Sequence, residues 1–162
     1  MRIVGIDPGL KATGYGFIDH HNQSIKLLET GTIEPNIKES FQNRIQKVYR
    51  ILKGLIDQYQ PDVLVLEKLY AHTNHPITAS ILGHVRGVIC LACAEKKIKL
   101  IEFSVKRIRK AVTGNGNASK LQTQRVVMHL LNIRTEKMAL DASDALALAV
   151  GHTRIHSRNT IL

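Results

Sequence analysis

The chain has 162 residues, 44% of them hydrophobic and 22% charged, which suits one domain with a buried core and excludes disordered and fibrous classes. Its 23 basic residues against 13 acids leave a net charge of +10 and a pI near 9.9, a balance that favours a polyanionic partner, most often nucleic acid. Uninterrupted apolar runs fall short of the roughly 18 to 20 residues of a membrane helix, and the first residues lack a signal-peptide layout, so a cytoplasmic protein with no membrane partner is expected.

Residues 2–7 read as a continuous apolar strand, Pro8-Gly9 as a turn, and Thr13 to Ile18 as a second strand joined by a hairpin. Ser24 to Leu28 and Gly31 to Ile33 extend it as a third strand. Ser40 is placed to N-cap a helix carrying Phe41, Ile45, Val48, Leu52, Leu55 and Ile56 at helical spacing, ending before Pro61.

Asp62 to Glu67 is apolar at consecutive positions, the pattern of a central strand covered on both faces by helices. A long helix over about Ile77 to Lys96, a short strand at Lys99 to Glu102, and helices near Ser104–Val112, Lys120–Leu131 and Asp141–Thr153 complete an α/β map. The Gly114-Asn115-Gly116-Asn117 stretch suits a mobile loop ahead of Lys120. Residues 1–153 form one domain, and 154–162 are expected to be a basic, flexible tail.

Two strands end in acids, Asp7 and Glu67, where open α/β sheets place ligand sites. Asp141 and Asp144, three apart, share one face of a helix otherwise built from alanine and leucine. Each acid has a plainer reading. Asp7 can open the Asp7-Pro8-Gly9 turn, Glu67 can be a solvated strand end, and Asp141 with Asp144 three residues on can be a capping arrangement that complements a helix dipole. Were all four to converge, their oxygens would suit Mg²⁺ or Mn²⁺, with two cations about 4 Å apart acting on a phosphodiester.

Cys90 and Cys93 lie inside the apolar run 87–94 with no further cysteine in the chain, and read as small thiols packed in a helix. His152 and His156 have metal-ligand spacing but no obvious third ligand, and all the histidines read as structural or solvated. Lys96 to Lys110 holds seven basic residues against one acid, Glu102, which suits phosphate contact or an ordinary solvated face.

Gly5-Ile6-Asp7-Pro8-Gly9 with Thr13-Gly14-Tyr15-Gly16, Leu66-Glu67, Gly83-His84-Val85-Arg86-Gly87, the loop from Gly114 to Lys120 and Asp141-Ala142-Ser143-Asp144-Ala145-Leu146-Ala147 together closely resemble the RuvC family of Holliday-junction resolvases. The resemblance spans nearly the whole chain. It implies a ribonuclease-H-like fold, with a central mixed five-stranded sheet flanked by helices, and a divalent-metal-dependent homodimer that resolves four-way DNA junctions by paired nicks in recombination and repair, alongside a branch-migration motor.

By that resemblance Asp7, Glu67, Asp141 and Asp144 are the metal-binding catalytic carboxylates and Lys120 a catalytic, DNA-contacting lysine. Tyr70 stands where the family carries a base-stacking phenylalanine, and Arg109 with Lys110 stands for a second family lysine on DNA. The apolar helix with Gly83 and Gly87 four apart is either the dimer contact or an ordinary core helix. Other readings are a ribonuclease-H-like nuclease acting on RNA and a basic junction binder with inactive acids. An actin-like ATPase or sugar kinase would need a duplicated domain that 162 residues do not supply.

Overall fold

In the computed structural model, which describes residues 1–9, 11–68, 76–134 and 138–159, the apolar strands β1 (Arg2–Asp7) and β4 (Val63–Glu67) lie side by side at the centre of one sheet. Strands β2 (Thr13–His21) and β3 (Ser24–Ile33) add antiparallel on one side, and β5 (Lys99–Phe103) adds parallel beyond β4, giving the order β3-β2-β1-β4-β5. The mixed five-stranded sheet is the one expected. A register shift between Phe17 and Ile18 marks a bulge in the β2–β3 pair.

The two-residue period of the strands sorts their side chains onto two cores. Ile3, Ile18, Val63, Val65 and Phe103 face helices α3 (Val105–Thr113), α4 (Lys120–Leu130) and α5 (Leu140–Asn159). Val4, Ile6, Phe17, Leu64 and Leu66 face α1 (Phe41–Tyr59) and α2 (Pro76–Glu95). Ser40 caps α1 as expected, its side chain accepting from the Asn43 N–H at 3.3 Å, and Val48, Leu52 and Ile56 are that helix's buried stripe.

Two expectations are corrected. The last helix does not stop at Thr153 but runs to Asn159, so most of the expected tail is helical. Ile155 packs on the core, the Ser157 hydroxyl donates to the Thr153 carbonyl at 2.9 Å, and the rings of His152 and His156 stack with centroids 5.8 Å apart. The loop from Gly114 is tied down rather than open. The Asn115 side chain accepts from the Asn117 N–H at 2.9 Å, the Thr113 hydroxyl donates to the Asn115 carbonyl at 2.9 Å, and Ala118 is buried.

Helix α2 is by length and composition apolar enough to cross a membrane, although Arg86 interrupts its apolar run. That arginine binds Glu67 and Glu102 on the sheet, and Val85, Ile89, Ala92 and Cys93 pack in the α1 core, so the helix is docked on the domain. Cys90 and Cys93 are free thiols, and burial pushes the Cys93 thiol up to about 12, as befits packing groups.

Candidate active site

Asp7 and Glu67 are neighbours because their strands are. β1 and β4 pair in parallel with Ile6 beside Leu66, so the next residue of each strand brings the two carboxylates together at the carboxyl ends. Both follow the parity of Ile3, Val63 and Val65 and point to the face covered by α5.

That helix approaches unusually close because glycines lie beneath it. A Cβ on Gly5 would stand 1.9 Å from the Ala145 carbonyl oxygen, and one on Gly14 would stand 2.0 Å from that of Asp141. Gly14 is the strand partner of Asp7, so the backbone of Asp141 rests directly over the strand pair that carries Asp7. Asp141 lies in the first turn of α5, where a carboxylate complements the helix dipole, and Asp144 follows one turn later. Ala142, Ala145 and Ala149, all buried, keep the helix face thin enough for this contact.

Lys120 opens α4 behind a capping box, in which the Ser119 hydroxyl accepts from the Gln122 N–H at 3.2 Å and the Gln122 side chain accepts from the Ser119 N–H at 2.8 Å. The cap fixes the first turn and aims the lysine across the gap, where its Nζ meets Asp144 Oδ2 at 2.5 Å. A cleft of about 190 Å³ results, lined among others by Asp7, Glu67, Asp144, Lys120, Arg109 and Thr123. Arg109 therefore reaches the cleft, whereas Lys110 is exposed outside its lining. Asp141 is also outside the lining but close enough to act electrostatically on Asp7 and Lys120. Tyr70 lies outside the described residues.

The carboxylates strain against one another. Burial, then Asp144 and Glu67, push Asp7 up to about 7, with Lys120 opposing. Burial and Asp144 likewise raise Glu67 above its ordinary value, against Lys120, Arg109 and Arg86. Lys120 is held above its usual range first by its hydrogen bond to Asp144. Among the described residues no three acids or histidines already close on one point at ligating distance. The donors are nevertheless all carboxylate oxygen, and an acid whose ionisation is opposed by burial and by neighbouring carboxylates is relieved by a hard divalent cation.

The sequence profile of the family described as crossover junction endodeoxyribonuclease RuvC matches residues 3–152. The chain belongs to the RuvC family. The RuvC of Alkaliphilus metalliredigens is 37% identical over 152 residues, covering 94% of this chain and 92% of that protein. Among solved structures, Thermus thermophilus RuvC superposes with a TM-score of 0.86 at 20% identity, covering 99% of this chain and 98% of that one. The same protein in complex with a Holliday junction substrate gives a TM-score of 0.88 at 18% identity, with the same coverage. The ribonuclease-H-like fold expected of a RuvC chain is thus the one present.

Two features of the site, one in the cleft and one behind it, carry no functional mark in the sequence. Thr123, buried one turn after Lys120, looks like any polar residue of an amphipathic helix. Arg86 stands behind Glu67 on the opposite face of the sheet; the sequence marks it as part of the 83–87 motif and as a charge inside an apolar helix, neither of which ties it to Glu67.

Proposed function

We propose that this RuvC-family chain is a crossover junction endodeoxyribonuclease that resolves four-way DNA junctions by paired symmetric nicks, in recombination and repair. The observation that carries this reading is the meeting of Asp7, Glu67 and Asp144 in one cleft whose mouth holds Lys120. Membership of a family so described supports the reaction class.

Asp7, Glu67, Asp141 and Asp144 are the residues that would hold Mg²⁺, or Mn²⁺ with the same oxygen preference, two cations per site. A cation held by these carboxylates would supply an activated water and neutralise charge on the phosphate. Lys120 offers an ammonium at the cleft mouth, where negative charge develops on the scissile group. Arg109 presents a planar fork to a neighbouring phosphate and Lys110 a point charge on the outer flank. Tyr70 supplies a ring for stacking on a base near the junction. Cutting by water leaves a 3′-hydroxyl and a 5′-phosphate.

The partner protein is a second copy of this chain, since a two-fold substrate calls for two cleavage centres. On α2 the exposed side chains Ile77 and Leu91, 76% and 52% accessible, flank Gly83 and Gly87, around which space is open. Leu91→Arg in sedimentation tests that face, a shift to monomer supporting it and an unchanged dimer opposing it. The enzyme acts in the cytoplasm beside a branch-migration motor.

The test of function is nicking of a labelled mobile four-way junction with Mg²⁺, against duplex and RNA–DNA hybrid. Cleavage of the hybrid alone would assign a ribonuclease, and binding without cleavage an inactive binder.

A further inference from the structure

Arg86 is a charged residue inside the otherwise apolar α2, and its side chain is only 13% exposed. One end of the guanidinium, Nη1, donates to the main-chain carbonyl of Glu67 at 2.6 Å. The other, Nη2, donates to the Glu102 carboxylate. Glu67 is the last residue of β4, and Glu102 lies on β5 opposite Leu66. A single rigid fork thus ties the end of the strand that carries a site carboxylate to its neighbour and to the helix behind it.

The side chain of Glu67 points the other way, into the cleft. Where that carboxylate stands depends on the orientation of its peptide, and the ladder continues past it with a bond from the Lys68 N–H to the Phe103 carbonyl at 2.8 Å. Packing α2 does not explain an arginine here. A mostly buried guanidinium carries a desolvation cost that an apolar residue of similar volume would avoid.

We propose that Arg86 is a positioning residue for Glu67, holding its peptide so that the carboxylate faces the same cleft as Asp7 and Asp144, with Glu102 holding Arg86 in turn. The inference rests on the resolvase reading and adds two residues outside the cleft lining.

The experiment measures single-turnover nicking of a four-way junction against Mg²⁺ concentration for wild type, Arg86→Gln, Glu102→Gln and the double variant, with junction Kd and melting temperature alongside. Residues that orient a metal ligand from behind typically change metal affinity or activity by about 10- to 100-fold. Arg86→Gln is expected to raise the Mg²⁺ needed for half-maximal nicking by about tenfold or more while junction Kd stays within about threefold. Glu102→Gln moves it in the same direction by less, and the double variant is no worse than Arg86→Gln alone, because the two act as one unit.

A wild type that binds but does not nick would overturn the resolvase reading itself. A wild type that nicks, with Arg86→Gln sharing its Mg²⁺ dependence, would overturn the positioning role alone. So would a loss of rate that follows melting temperature with the Mg²⁺ midpoint unmoved. Should Arg86→Gln not fold, Glu102→Gln decides in the same way.

Discussion

Lys120 Nζ and Asp144 Oδ2 stand 2.5 Å apart and join the first residue of α4 to the second acid of α5 across the mouth of the cleft. The lysine side chain is 53% exposed and the aspartate 22%, so solvent screens the pair and it adds little to stability. Its position at the cleft, rather than its strength, is what matters.

Lys120→Ala is therefore expected to leave the melting temperature nearly unchanged while nicking falls by about 100-fold or more, the scale of losing one donor aimed at developing charge. Junction binding should weaken far less. A parallel loss of folding and rate would make the lysine a structural residue, and thermal melts beside single-turnover rates distinguish the two.

Asp7 links the site to stability through pH. Its carboxyl sits at about 7 in the folded protein against an ordinary 3.8, so the folded state binds a proton that the unfolded state has released between those values. Below about pH 4 the group is neutral in both states and costs nothing. The contribution of Asp7 to the stability of the metal-free protein then falls as pH rises toward 7, by up to about 4 kcal/mol, and levels off above. Asp7→Asn should flatten that fall and make the metal-free protein more stable than wild type at pH 8. Added Mg²⁺ should stabilise wild type more than the variant. Denaturant titrations at pH 5 and 8, with and without Mg²⁺, provide the check.

Gly5→Ala places a methyl against the Ala145 carbonyl, which is backbone and cannot swing aside. Overpacking of this kind costs about 1 to 3 kcal/mol, and because α5 carries two of the acids, nicking should fall with it. Gly54, within α1 and with nothing in reach of an added methyl, should respond oppositely, Gly54→Ala stabilising by about 0.5 to 1 kcal/mol. Melting curves of the two variants are the comparison.

At the far end of α5, His152 is 4% exposed and lowered to about 4, first by burial and then by His156, Lys99 and His20. An unfolded histidine takes a proton near 6.5, which the folded one refuses until about 4. The stability contributed by His152 is therefore whole above about pH 6.5 and declines as pH falls to about 4, by up to about 3 kcal/mol, opposite in sign to that of Asp7. His152→Gln should reduce that acid loss in urea titrations between pH 7 and 4.

The strands were legible because unbroken apolar runs such as Val63 to Leu66 have few alternatives, and the acids ending them stood out by charge. What brings Asp141 to Asp7 was not legible. Gly5 lies inside an apolar run and Gly14 reads as part of a hairpin, whereas both are the bed on which α5 lies. Local sequence gives no sign of a contact between residues more than a hundred positions apart. The tail beyond Thr153 misled because polar, basic residues suggest fraying, while Ile155 anchors that turn to the core. Of Arg109 and Lys110, helical phase alone decides which enters the cleft, and a one-residue difference is a third of a turn.

The most direct measurement is nicking of a labelled mobile four-way junction by wild type and Asp7→Asn with Mg²⁺, beside duplex and RNA–DNA hybrid controls. The account predicts symmetrical nicks by wild type on the junction alone, lost in Asp7→Asn while junction binding is kept. Undiminished nicking by Asp7→Asn, or wild-type cleavage confined to the hybrid, would contradict it.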